Sequence, residues 1–181
     1  MRMYQFSLRF AEVDMHPMTD LVYNVCSSSL TGSIDGVNIV ATAVSGGRAG
    51  SKLDDVVQDF IANNPFTTGI KLKNGGVGGV LPLTEYRMRT HEDREKRPNW
   101  IRLIPIRPDE MRGRDGMAIH GSGPRGSDGC IVPTDFNIVK ELYRLVKARE
   151  DAHKAAPTLA VVAIGDIDFY IERAKKYRSL A

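Results

Sequence analysis

Ile119 to Val132 reads IHGSGPRGSDGCIV, with a histidine and a cysteine ten positions apart and glycine or proline at five of the nine positions between them. That glycine content excludes a packed helix. MAIH, Met117 to His120, is a short apolar run suited to a strand, and the chain turns apolar again after Cys130. The stretch therefore reads as a strand that ends at His120, a reversing loop through Gly121, Gly123, Pro124, Gly126 and Gly129, and a return that sets Cys130 beside His120.

A cysteine attacks as its thiolate, and from an ordinary pKa of about 8.5 it needs a neighbour that takes its proton. Histidine is the usual neighbour. Acyl transfer also needs backbone N–H donors aimed at a developing oxyanion. The turn Ser127-Asp128-Gly129-Cys130 offers the amides of Gly129 and Cys130, with Asp128 beside them. Two plainer readings fit the same residues. Cys130 and His120 could be packed side chains of a non-catalytic β module. They could also be metal ligands, but paired C-x-x-C or H-x-x-x-H companions are missing, and no metal or cofactor is expected.

Moving outward, Thr134 or Asp135 can cap a helix whose apolar residues Phe136, Val139, Leu142, Tyr143 and Val146 keep the i, i+3, i+4 spacing. Its N-terminal dipole end would lie downstream of Cys130. TLAVVAI, from Thr158, suits a buried strand, and Asp166 or Asp168 caps a last helix carrying Phe169, Ile171, Ala174 and Tyr177. Upstream, LVYNVCSS and VNIVATAV alternate as strands on either side of the turn-rich SLTGSIDG. VVQDFIANN reads as a short helix stopped by Asn64-Pro65, and residues 69–80 as a loop or flexible hairpin. PLTEYRMRT and NWIRLIPI are further strands, flanking HEDREKRP as a solvated loop. The expected fold is α+β and β-rich, one domain over residues 1–181.

At 181 residues, with 42% hydrophobic and 26% charged residues, the chain can bury a core and is not generally disordered. A net charge of +3 favours an anionic partner, but the basic residues form no stripe of the kind nucleic-acid binders carry, so no nucleic acid is expected. Two cysteines cannot describe a disulfide scaffold. Charges at Arg2, Arg9, Glu12 and Asp14 interrupt the N-terminal apolar runs, so neither a cleavable signal peptide nor membrane insertion is expected.

The motif IHG, then Ser127-x-Gly129-Cys130, then a helix containing ELYRLV, resembles the catalytic domain of the L,D-transpeptidase (YkuD-type) family. The histidine precedes the cysteine, the reverse of papain-like and NlpC-type peptidases. The short loop, with Asp128 between serine and glycine and Val132 where the family often carries arginine, is closer to L,D-transpeptidase-like effectors delivered by type VI secretion. AVSGGRAG, Asn64-Pro65 and PLTEY extend the similarity over about residues 22–164, within a motif-bearing core of about 20–165. The resemblance implies a β-sandwich core with a few peripheral helices. It also implies Cys130 as nucleophile, His120 as base, the Gly121 carbonyl as third member, Ser127 shaping the turn and contacting substrate, and Arg125 and Arg48 as candidates for a substrate carboxylate.

The implied substrate is the peptidoglycan stem tetrapeptide, opened through a thioester with L,D-carboxypeptidase or D-amino-acid-exchanging transpeptidase outcome. An antibacterial effector is expected to be made in a bacterial cytoplasm, to act in the periplasm of a target cell, and to have a cognate immunity protein. The alternatives are a wall-binding or structural module, and a cysteine amidase or endopeptidase cutting another stem-peptide bond.

Overall fold

The computed structural model describes residues 19–47, 60–71, 76–121 and 127–180, with side chains as far as Lys175. Ten strands and two helices occur among them. They are β1 (Leu21–Asn24), β2 (Ser29–Ile34), β3 (Val37–Ser45), β4 (Ile70–Lys71), β5 (Val77–Gly78), β6 (Glu85–Thr90), β7 (Ile101–Pro105), β8 (Ala118–Ile119), β9 (Ile131–Pro133), α1 (Phe136–Asp151), β10 (Thr158–Val162) and α2 (Ile167–Leu180). Eight strands close into one barrel in the order β1-β10-β6-β7-β8-β9-β3-β2, while β4 and β5 form a separate hairpin. The β-rich α+β expectation holds, but the expected sandwich does not. A sandwich needs two facing sheets with free edges, whereas here β1 pairs with both β2 and β10 and the sheet has no edge.

Strand alternation builds the interior. Leu21 and Tyr23 of β1, Leu30 and Ile34 of β2, Tyr86 and Met88 of β6, Ile101 and Leu103 of β7, and Ile119 and Ile131 are all buried in one apolar cluster. SLTGSIDG corrects the reading of a loop: Ser29–Ile34 is β2, and only Asp35-Gly36 turns, both at positive φ as a two-residue hairpin requires. The alternation of Leu30 and Ile34 is diluted there by small polar residues, which is why the segment reads as turn-rich.

Asp135 caps α1 by accepting a bond from the Asn137 amide at 2.8 Å. Val139, Leu142, Leu145 and Val146 are its buried face, and it packs on β6, β7 and β9. Asp166 accepts from the Phe169 amide at the start of α2. Ala174 is buried at 7% exposure, as expected, but Tyr170, at 8%, takes the inward place expected of Phe169, which is 52% exposed, and the Tyr177 side chain lies outside the described residues. Of the helix expected over VVQDFIANN, residues 56–59 lie outside the described residues; Phe60–Asn63 form a turn that runs into a 3-10 turn at Pro65–Thr67. Within 69–80, β4 and β5 pair, while 72–75 lie outside the described residues.

Candidate active site

β8 and β9 run parallel with Ile119 opposite Ile131, and the His120 amide donates to the Ile131 carbonyl at 3.1 Å. Cys130 immediately precedes β9 and His120 immediately follows β8. Ile119 and Ile131 point inward, so alternation turns Cys130 and His120 to the same outer face, staggered by two residues along the pair. The loop between them, residues 122–126 with Arg125, lies outside the described residues, as does Arg48.

The neighbouring strands continue the row. Ile101 of β7 pairs with Ile119 and with Thr90 of β6, which places Trp100 opposite His120 and His91 opposite Trp100. Trp100 stacks flat on the His120 ring, with centroids 4.1 Å apart and planes 9° apart. His91 meets Trp100 edge-on at 6.1 Å, and Arg97 lies 5.0 Å over the indole while bonding His91 Nε2 at 2.9 Å. HEDREKRP is solvated at most positions, but His91, its first residue, is only 4% exposed.

His120 Nδ1 lies 2.7 Å from the Gly121 carbonyl. A carbonyl only accepts, so Nδ1 carries the proton, and Nε2 is left with its lone pair and no hydrogen bond among the described residues. Burial pushes the His120 pKa below its ordinary value, opposed by the Gly121 bond and assisted by the positive charge of Arg97. Gly121 is also spatially required, because a Cβ there would meet the Phe136 ring at 2.4 Å.

Cys130 and Cys26 are both free thiols. Cys130 Sγ makes a hydrogen bond to the Gly116 carbonyl at 3.9 Å, and none joins it to His120. Burial raises its pKa, offset in part by a backbone bond from Ala118 and by the charge of Arg114. Burial thus holds both the Cys130 thiol and the His120 imidazole in their neutral forms. Such a pair suits proton transfer during attack better than a preformed ion pair.

The turn before Cys130 is pinned through its carbonyls. Arg114 Nη2 donates to the Asp128 carbonyl at 2.6 Å, Ser45 Oγ donates to the Gly129 carbonyl at 2.9 Å, and Ser127 Oγ donates to the Cys130 carbonyl at 2.7 Å. In a trans peptide the C=O of one residue and the N–H of the next point opposite ways. Holding the Gly129 carbonyl against Ser45, inside the barrel wall, therefore sends the Cys130 N–H outward, and no described protein group takes it. The Gly129 amide turns instead to Ser127 Oγ at 3.4 Å. Ser127 is 5% exposed with its hydroxyl committed to the turn, a placement that suits shaping the loop and leaves little of it for substrate.

Ser45, Trp100 and Arg114 carry no signal of their own in the sequence. Ser45 ends a strand and Arg114 sits in a run of charges, while Trp100 could be noticed only as the single tryptophan. Arg102, Met111, Arg114 and Gly116 border a cleft of about 90 Å³ that neither Cys130 nor His120 lines and that is linked to the cysteine through Gly116, whose carbonyl takes the thiol. No cluster of three His, Cys, Asp or Glu side chains able to hold a metal occurs among the described residues, and none of their helices is long and apolar enough to cross a membrane.

The fold and site together define a β-barrel with a thiol and an imidazole flanking one parallel strand pair. No protein-family model, curated protein or solved structure matches the chain.

Proposed function

We propose that the chain is a cysteine acyltransferase of the L,D-transpeptidase kind, acting on the peptidoglycan stem tetrapeptide. The observation that carries this reading is the placement of Cys130 and His120 on one face of β8 and β9, with the imidazole held by the Gly121 carbonyl. His120 Nε2 takes the thiol proton as Sγ attacks the carbonyl of the third stem residue. The oxyanion meets the Cys130 N–H, the terminal D-alanine leaves as an amine carrying the proton from His120, and a thioester remains. Water then yields a tripeptide, and a D-amino acid yields an exchanged tetrapeptide.

The fold this reading implies is the family's, with its strands closed here into a barrel. The finer proposal is an antibacterial effector, acting in the periplasm of a target cell and neutralised by an immunity protein that fills the cleft. The mildly basic chain, with Arg102 at the cleft, is compatible with an anionic wall.

A non-catalytic wall-binding module is the second reading, and the observation on its side is that Sγ bonds Gly116 and not His120. Mass spectrometry of muropeptides decides between them. Tetrapeptide stems are incubated with the protein and with Cys130→Ala, with and without D-amino acid. Conversion to tripeptide or exchanged tetrapeptide that needs Cys130 is the expected result. Cleavage at another stem bond assigns an amidase or endopeptidase, and unchanged muropeptides with folded protein leave the binding module.

A further inference from the structure

The connection between β6 and β7 runs through solvent: residues 94–98 are exposed, and none of residues 91–100 belongs to the apolar core cluster. It nevertheless brings one aromatic ring to a fixed place. The His91 amide donates to the Trp100 carbonyl at 3.0 Å and the Trp100 amide donates to the Arg97 carbonyl at 3.2 Å, so the backbone of Trp100 is held on both sides. Asn99, just before it, is left-handed with φ of 62°, a conformation that asparagine takes more readily than most residues.

The Trp100 side chain is half-buried, and its ring contacts are with polar and charged groups. The His120 imidazole lies at 4.1 Å with the planes 9° apart, the His91 ring stands edge-on at 6.1 Å, and the Arg97 guanidinium is 5.0 Å from the indole centroid. An indole recruited for core packing would sit among aliphatic side chains. This one lies flat on a histidine.

The His120 ring has one hydrogen bond among the described residues, from Nδ1 to the Gly121 carbonyl at 2.7 Å. A single bond leaves an imidazole able to swing about the N–H···O line, or to turn over and exchange its two nitrogens. A face-on ring at 4.1 Å is in van der Waals contact and opposes both motions, because rotation about Cβ–Cγ drives the imidazole edge into the indole. The accepting peptide is confined as well, since the Phe136 ring lies so close to Gly121 that a Cβ there would meet it at 2.4 Å.

We propose that Trp100 is a positioning residue for the base: its indole fixes the plane of the His120 imidazole, so that Nδ1 stays on the Gly121 carbonyl and Nε2 stays presented on the outer face of β8. The catalytic sense of this rests on the reading of His120 as the base. The locking of the ring stands without it.

The test is NMR of protein carrying 15N-labelled histidine rings, at a pH of about 8 where an imidazole is neutral. The His120 signals are assigned as those lost in His120→Gln. The parent should show one tautomer, with the proton on Nδ1, and Trp100→Phe, which keeps a flat ring, should show the same. Trp100→Leu, apolar but without a ring, should show the mixture of tautomers of an unrestrained imidazole. In muropeptide conversion, kcat of Trp100→Leu is expected to fall roughly tenfold or more with KM within about twofold, and Trp100→Phe to stay within about threefold of the parent. Mixed tautomers in the parent, or a single Nδ1–H tautomer kept in folded Trp100→Leu, overturn the proposal, and so does a rise in KM alone. Should Trp100→Leu fail to fold, a single tautomer and near-parental kcat in Trp100→Phe support the proposal, and a large loss of kcat there with the tautomer unmoved overturns it.

The tautomer is read without any reaction. Loss of the single tautomer in Trp100→Leu, with no conversion of muropeptides by the parent, therefore sinks the enzymatic reading and leaves the ring lock. Conversion by the parent, with tautomer and kcat unmoved in Trp100→Leu, sinks the role of Trp100 alone.

Discussion

His120 is held on three sides, by the Gly121 carbonyl, by the Trp100 ring and by burial. Its folded pKa lies below its ordinary value of about 6.5. For a base this means that the neutral, working form persists as pH falls. The acid limb of kcat/KM for muropeptide conversion is expected to have its midpoint below about pH 6.5. Arg97→Gln should move it upward by a few tenths of a unit, because the cation that disfavours protonation is gone; the shift shrinks in high salt. The same sign governs stability: the neutral folded imidazole contributes fully above about pH 6.5, and its contribution is lost as pH falls toward the folded pKa. An acid limb above pH 7, or no limb, removes His120 as the base. The histidine and cysteine themselves were legible in the sequence because a glycine-rich loop bracketed by apolar residues is a recognisable pattern. Trp100 was not, since it reaches His120 only through the register of β7 on β8, and register is set by pairing across distant parts of the chain.

At the scale of elements, the cysteine turn owes its shape to the end of β3 and to the chain that follows β5. Ser45, the last residue of β3, donates to Gly129 and accepts from the Leu81 amide at 3.1 Å, wholly buried. Ser45→Ala leaves a buried carbonyl and a buried amide unpaired, and is expected to cost about 1–3 kcal/mol in denaturant unfolding. It also frees the peptide that aims the Cys130 N–H. The expected kinetic signature is a fall in kcat of roughly tenfold or more with a smaller change in KM, as for loss of an oxyanion donor. Equal loss of both would show that the peptide is not aimed by Ser45. The helices were legible in outline because Asp135 and Asp166 are cap residues ahead of periodic apolar runs. On α2 the inward aromatic was misplaced by one residue while Ala174 was not, since Phe169 and Tyr170 are adjacent aromatics and only tertiary packing decides between them. β2 was missed because its strand signal rests on two apolar residues, Leu30 and Ile34.

The whole molecule is closed by a parallel seam between β1 and β10. Asp20 clasps it, accepting from the Thr158 amide at 2.8 Å and its hydroxyl at 3.0 Å, while Arg149 of α1 donates to Asp20 at 2.8 Å. Asp20 and Arg149 are each about 15% exposed along their side chains, so this ion pair is largely shielded. Asp20→Ala is expected to destabilise the protein by about 2–4 kcal/mol in urea unfolding, and a change under about 0.5 kcal/mol would mean that the clasp is ornamental. Barrel closure was not legible, because nothing local in TLAVVAI says that its partner is a strand near the other end of the chain. That distance has a kinetic meaning. The residues joined at the clasp are 138 apart in sequence, so the loop entropy of closing the barrel is met late, after most other pairings exist. A chain released before Thr158 is made would leave β1 and β6 as bare edges, open to pairing with a second chain. The arrival of β10 between β1 and β6 is what ends that exposure.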